Sequence, residues 1–225
     1  MLHWSEAGDP DGPVVVYFHG TANGKQHIPF PETAERLELR VLMADRPGYG
    51  ESAPAPEASL LDVGRMIASD LDDRGVDRFS VLGFSGGGPH ALACAVAAPA
   101  RVHTVGLLSS WAPMTPADPG LPLGVRAAMR AAAVLPRPAI RLMFLIGRQT
   151  SAGMVDDVRR VSRPWNFSVE DVASSTRVEA WHAAGDRQVP VTPWRGVADV
   201  HLTILEGNSH ETPPDVWESA LRSMR

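Results

Sequence analysis

The sequence holds a single cysteine, Cys94, and a single lysine, Lys25, in 225 residues. One cysteine cannot form an internal disulfide, and without a cysteine cluster the ligand spacings of a structural zinc site are missing. That usage fits a reducing compartment, so the expected location is the cytoplasm. The opening residues Met1-Leu2-His3-Trp4-Ser5-Glu6 offer neither the basic nor the apolar region of a signal peptide. Long hydrophobic runs are absent too. The stretch from Ala139 to Ile146 is broken by Arg141 and falls short of the roughly 18 residues that span a bilayer, so no membrane association is expected. Positive charge is also scarce: 21 Lys and Arg stand against 26 Asp and Glu, a net charge of -5, with the arginines scattered along the chain. Neutralising phosphates takes clustered cations, so nucleic acid is not an expected partner. No G-x-G-x-x-G and no P-loop Lys-Ser or Lys-Thr occurs, which argues against a nucleotide site.

Present instead is an ordinary globular balance, 44% hydrophobic and 21% charged, in a length that suits one domain. Short apolar runs rich in β-branched residues recur at Val14–Phe18, Arg40–Ala44, Phe79–Gly83, Val102–Leu108, Val178–Trp181 and Val200–Leu205. Their near-continuous apolarity predicts strands covered on both faces, as in a parallel sheet between helices. Helical segments alternate with them. Ser59-Leu60-Leu61-Asp62 reads as a capping box, Leu60, Val63, Ile67 and Leu71 share one face, and Gly75 supplies the stop. Thr192-Pro193 and Thr212-Pro213 read as further helix starts. The pattern predicts an α/β fold with a mostly parallel central sheet flanked by helices. One stretch breaks the alternation: from Ala112 to about Ser175, seven prolines interrupt Ala-, Arg- and Met-rich helical segments with no clear strand. It reads as a helical lid or cap inserted at about 112–175 into a single domain covering 1–225, with a surface helical pair covering an edge as the alternative.

The chemistry concentrates at three strand ends. Gly83-Phe84-Ser85-Gly86-Gly87 matches G-x-S-x-G, placed after a buried strand and before an apolar helix. A tight strand-to-helix turn there lifts the Ser85 hydroxyl above the carboxyl ends of the strands, and the glycines admit the backbone crowding such a turn entails. A serine hydroxyl needs a base, and the base an orienting acid. Asp186 follows the strand at Val178–Trp181, and His210 follows the strand at Val200–Leu205 in the loop Gly207-Asn208-Ser209-His210. The order Ser, Asp, His is the one found in α/β-hydrolases.

Taken together, the motifs resemble the α/β-hydrolase superfamily, in its small lidded esterase and lactonase-like form. His19-Gly20-Thr21 resembles the family's oxyanion loop, and Asp45-Arg46-Pro47-Gly48-Tyr49-Gly50-Glu51-Ser52 its D-x-x-G-x-G-x-S segment. Asp186-Arg187-Gln188-Val189-Pro190 resembles the D-x-x-V-P that carries the acid, and the Gly207 to His210 loop the terminal G-x-x-H. The family usually has eight strands, and this chain is expected to begin near the second. Ala183 stands where a related H-G-x-x-D pattern has glycine.

The resemblance implies Ser85 as nucleophile, His210 as base and Asp186 as acid, with Glu206 as the alternative acid. It assigns the oxyanion donors to the backbone amides of Gly86 and Thr21, with Ala22 as the alternative to Thr21. Trp111, Met114, Phe144 and Trp165 are candidates to line an acyl pocket or, equally, ordinary core. His19, His90, His182, His201, Asp45 and Arg46 are read as structural. The expected activity is hydrolysis of a small to medium ester, thioester or lactone, on a small-molecule substrate, with no metal or organic cofactor. A non-hydrolytic enzyme of the same fold (acyl transferase, lyase or haloperoxidase type) and a ligand-binding protein of low turnover are the alternatives. Epoxide hydrolases and haloalkane dehalogenases of similar fold use an aspartate where this chain has Ser85, which disfavours both.

Overall fold

The computed structural model describes residues 2–21, 28–113, 123–145 and 152–225, apart from the side chains of residues 125 and 143–145. Seven strands among them form one sheet: β1 (Trp4–Gly8), β2 (Val14–Phe18), β3 (Arg40–Ala44), β4 (Phe79–Phe84), β5 (Val102–Leu108), β6 (Arg177–Ala183) and β7 (Val200–Leu205). Their spatial order is β1-β3-β2-β4-β5-β6-β7. All neighbours are parallel except β1, which runs antiparallel to β3 with Trp4 opposite Ala44. The apolar runs mark six of these strands; β1 is an addition to them. Its sequence Trp-Ser-Glu-Ala-Gly is half-buried at the sheet edge and carries no apolar run.

Alternation along the strands explains how both faces are covered. Val16, Phe18, Leu42, Val81, Val105 and Val178 pack toward α2 (Leu60–Asp73) and α3 (Gly88–Ala97). Val15, Tyr17, Val41, Met43, Leu82 and Leu108 pack instead with Ala34 of α1 (Pro31–Arg36) and with Trp217, Ala220 and Leu221 of α8 (Pro214–Ser223). Helix α2 begins as its sequence indicates: Ser59 Oγ accepts from the Asp62 N–H at 3.1 Å, while the Asp62 carboxylate accepts from the Ser59 N–H at 3.0 Å. Two expected caps differ. Thr192-Pro193 opens only a 3-10 turn, Thr192–Gly196, and α8 starts at Pro214 with Pro213 in the N-cap position, so Thr212 caps nothing.

Between β5 and β6 lie four helices, α4 (Leu123–Val134), α5 (Arg137–Leu145), α6 (Ala152–Val161) and α7 (Val169–Ala173), and no strand among the described residues. Ala132, Ile140 and Val155 form a small core between three of them. Helix α6 is tied to the loop after β3, where the Gly153 N–H donates to the Gly48 carbonyl at 2.9 Å.

The strand order also locates a crevice. From β2 the chain passes outward to β3, then crosses back over β2 to reach β4 and continues the other way to β5. The loops leaving β2 and β4 therefore diverge, and α/β sheets bind ligands where neighbouring loops part in this way. Phe18 and Gly83 are register partners at the carboxyl ends of these strands. Both candidate arms of the site, after Phe18 and after Phe84, border that crevice.

Candidate active site

Ser85 opens a 3-10 turn, Ser85–Gly87, between β4 and α3, and its φ of 52° lies in the left-handed region that costs a non-glycine residue about 1–3 kcal/mol. The turn is so tight that a Cβ on Gly87 would lie 2.0 Å from the Phe18 carbonyl oxygen. Glycine fits there because it has no Cβ. The Trp111 N–H reaches the Ser85 carbonyl at 3.4 Å, tying the turn to the end of β5.

The structure brings Ser85, His210 and Asp186 together across three strand ends. Ser85 Oγ lies 2.9 Å from His210 Nε2, and His210 Nδ1 lies 2.7 Å from Asp186 Oδ2. With the carboxylate accepting from Nδ1–H, Nε2 is left as the acceptor for the serine hydroxyl, a tautomer that follows from the network. Asp186 Oδ1 accepts from the backbone N–H groups of Gln188 and Val189 at 2.8 and 3.0 Å. Burial alone would raise the Asp186 pKa. The hydrogen bonds from His182, His210 and the Val189 N–H outweigh it and hold the carboxyl well below the usual carboxylate range. Glu206, the alternative acid, is exposed, while the His210 ring packs against Phe84 in a tilted arrangement with centroids 5.3 Å apart.

Gly86 and Thr21 meet face to face. A Cβ on Gly86 would lie 2.0 Å from Thr21 Oγ1 and 3.3 Å from the Thr21 amide nitrogen. The two candidate oxyanion arms are thus in contact beside Ser85; Ala22 lies outside the described residues. Of the candidate pocket residues, Trp111 follows β5 next to the serine turn and is half-buried. Trp165 belongs to the main core, packs in a tilted arrangement 5.7 Å from the Phe167 ring and donates its indole N–H to the Val161 carbonyl. None of its described contacts reaches the three residues of the relay. Met114 and the Phe144 side chain lie outside the described residues.

Several residues read as structural prove to surround the site. His182 Nε2 bonds the Val189 carbonyl at 2.7 Å and lies 3.5 Å from Asp186 Oδ2; its i, i+4 spacing to Asp186 across a strand end was the available signal. Beneath the serine turn lies a fully buried charge cluster. Asp157, on α6, pairs with Arg46 Nε at 2.8 Å and with Arg160 Nη1 at 2.9 Å. Arg46 also donates through Nη1 to the His19 carbonyl, and His90 Nδ1 bonds the Gly86 carbonyl at 3.0 Å. Burial would raise the Asp157 pKa, but Arg46, His90 and Arg160 hold it well below the ordinary range. Burial, reinforced by the Arg46 charge, pushes the His19 imidazole well below the usual histidine range, and burial likewise lowers that of His90. No sequence signal pairs Arg46 with a residue 111 positions away.

The family model described as alpha/beta hydrolase fold matches residues 13–149. The chain belongs to the α/β-hydrolase fold family. Among curated relatives, this α/β-hydrolase is 33% identical over 111 residues to the dihydrolipoyllysine-residue acetyltransferase component of the acetoin cleaving system of Pseudomonas putida, covering 49% of the chain and 30% of that protein. It is 35% identical over 103 residues to the pimeloyl-acyl-carrier-protein methyl ester esterase of Vibrio campbellii, covering 45% of the chain and 37% of that protein. The matched stretch spans less than half the length of either relative. Among solved structures, the enol-lactonase from Burkholderia xenovorans LB400 superposes with a TM-score of 0.70 at 16% identity, over 99% of this chain and 94% of that one. At that identity the likeness establishes the shared fold. Among the described residues no helix is long and apolar enough to cross a membrane.

Proposed function

We propose that this α/β-hydrolase is a serine hydrolase that cleaves a small to medium carboxylic ester, thioester or lactone through an acyl-enzyme. The observation that carries the reading is the unbroken relay from Ser85 Oγ through both nitrogens of His210 to the buried Asp186 carboxylate. His210 takes the proton from Ser85 as its oxygen attacks the substrate carbonyl, and Asp186 stabilises the imidazolium that forms. The amides of Gly86 and Thr21 receive the developing oxyanion, and His210 then returns its proton to the leaving group. Water, activated by the same histidine, releases the acid. Every step uses groups of this chain and water. The helices between β5 and β6 act as a lid over a single catalytic domain, with Trp111 at the acyl side.

The test is treatment of wild type and Ser85→Ala with an organophosphonate, followed by intact-protein mass spectrometry. One adduct on wild type and none on Ser85→Ala is expected, together with loss of p-nitrophenyl butyrate hydrolysis in the variant. Equal labelling of both proteins, or turnover retained by Ser85→Ala, overturns the reading.

Acyl transfer is a second reading, favoured by the acetyltransferase name of the Pseudomonas putida relative. It uses the same acyl-enzyme with an alcohol or amine in place of water. Product analysis in the presence of both acceptors separates the two: a predominance of transfer product over free acid would replace hydrolysis.

A further inference from the structure

The amides that would hold an oxyanion sit on two different loops, and hydrogen-bond donors stabilise a transition state only if they are fixed before the charge develops. The Thr21 arm is held from behind. Arg46 is fully buried, and its Nη1 donates to the carbonyl of His19, two residues before Thr21. Its Nε and Nη2 both lie 2.8 Å from Asp157 Oδ2. The other oxygen of the same carboxylate faces the Gly86 arm: Asp157 Oδ1 is 3.2 Å from His90 Nε2, in an alignment short of a hydrogen bond, while Nδ1 of that ring bonds the Gly86 carbonyl. Arg160, one turn along α6, caps the carboxylate at 2.9 Å and reaches the Ala58 carbonyl at 2.9 Å. Asp157 is 1% exposed, so solvent does not relax this geometry.

We propose that Asp157, on α6 of the inserted segment, is a positioning residue for the oxyanion hole: by clamping Arg46 against the His19 carbonyl it sets the Thr21 amide opposite Gly86. The inference rests on the serine-hydrolase reading and extends it. A carboxylate is suited to this task because it engages two guanidinium nitrogens on one face of Arg46 and leaves Nη1 free to point at the loop. An amide has one oxygen for the two cations that the carboxylate serves separately, Arg46 through Oδ2 and Arg160 through Oδ1, and would leave both buried cations without their counter-charge. The consequence is that the inserted helices do more than cover the site. Through Arg46, the seating of α6 bears on where the Thr21 amide lies.

The experiment compares wild type, Asp157→Asn and the triple variant Arg46→Met, Asp157→Leu, Arg160→Met. The triple variant removes the whole buried triad of charges together, an exchange that such clusters often tolerate, so it remains informative if Asp157→Asn fails to fold. Circular dichroism establishes the folded fraction. Kinetics on p-nitrophenyl butyrate are read alongside the inhibition constant of a trifluoromethyl ketone, which forms a tetrahedral oxyanion adduct with an activated serine. Removing a direct oxyanion donor costs about 100- to 1,000-fold in kcat, so loss of its support is expected to cost about 10- to 100-fold, with KM within about twofold. Ketone affinity is expected to fall in parallel with kcat. A folded variant with wild-type kcat and ketone affinity overturns the proposal, as does a loss confined to KM. Absence of Ser85-dependent turnover in the wild type overturns the serine-hydrolase reading and this inference with it, whereas an unaffected variant beside an active wild type removes the positioning role alone.

Discussion

At the scale of the single residue, the surroundings of two carboxylates set Asp186 apart from Glu206 as the acid of the proposed relay. Asp186 is buried, receives two backbone N–H groups on one oxygen and presents the other to His210. Glu206, twenty residues later and close to His210 in sequence, is exposed. Asp186→Asn keeps the size but offers His210 an amide that favours the wrong tautomer, and a loss of about 10⁴-fold in kcat is expected, as is typical of triads. Glu206→Gln should leave kcat within about twofold. Steady-state kinetics on one aryl ester checks both, and a larger loss in Glu206→Gln would transfer the role of acid to that residue.

At the scale of the element, the strands leading to the serine turn and to Asp186 were legible because covered strands must be apolar, as Val14-Val15-Val16-Tyr17-Phe18 is, whereas β7 was legible by its β-branched residues although it lies half-exposed at the sheet edge. The serine turn was legible because its glycines answer to local crowding that any chain must satisfy. Strand β1 was not, since an edge strand holds its place by pairing with β3 and so Ser5 and Glu6 carry no apolar signature. The partnership of Asp157 with Arg46 was equally silent: the two residues stand 111 positions apart, and only the tertiary fold brings them together and buries them. The docking of α6 adds a second, steric constraint. A Cβ on Gly153 would lie 2.3 Å from the Tyr49 ring and 2.7 Å from the Gly48 carbonyl carbon. Gly153→Ala should therefore lower stability by about 1–3 kcal/mol, as overpacking does, and speed proteolysis between β5 and β6. Denaturant melts and limited trypsin digestion measure the two effects; a variant as stable and as resistant as wild type would mean that α6 is not seated on this loop.

At the scale of the whole molecule, the buried charges make stability depend on pH in one direction. His19 and His90 have folded pKa values below the unfolded value of about 6.5, so unfolding takes up protons there as the pH falls below that point. Asp186 and Asp157 are held below their unfolded value of about 4, so their contribution is present above that pH and lost as the pH falls further. Thermal melts are expected to show Tm highest on the neutral side, declining below about pH 6 and more steeply below about pH 4. In Asp186→Asn the steep limb should flatten. A Tm independent of pH between 7 and 4 would mean that these groups titrate alike in the folded and unfolded chains. The relay has a further consequence for assembly. Ser85 and His210 are joined across 125 positions, with β5, the four inserted helices and the last two strands between them. Closing so long a loop is among the slow, late contributions to a folding reaction. Enzyme activity recovered during refolding is therefore a stopwatch for completion, and it should lag behind the return of helical signal from the segments that precede β6.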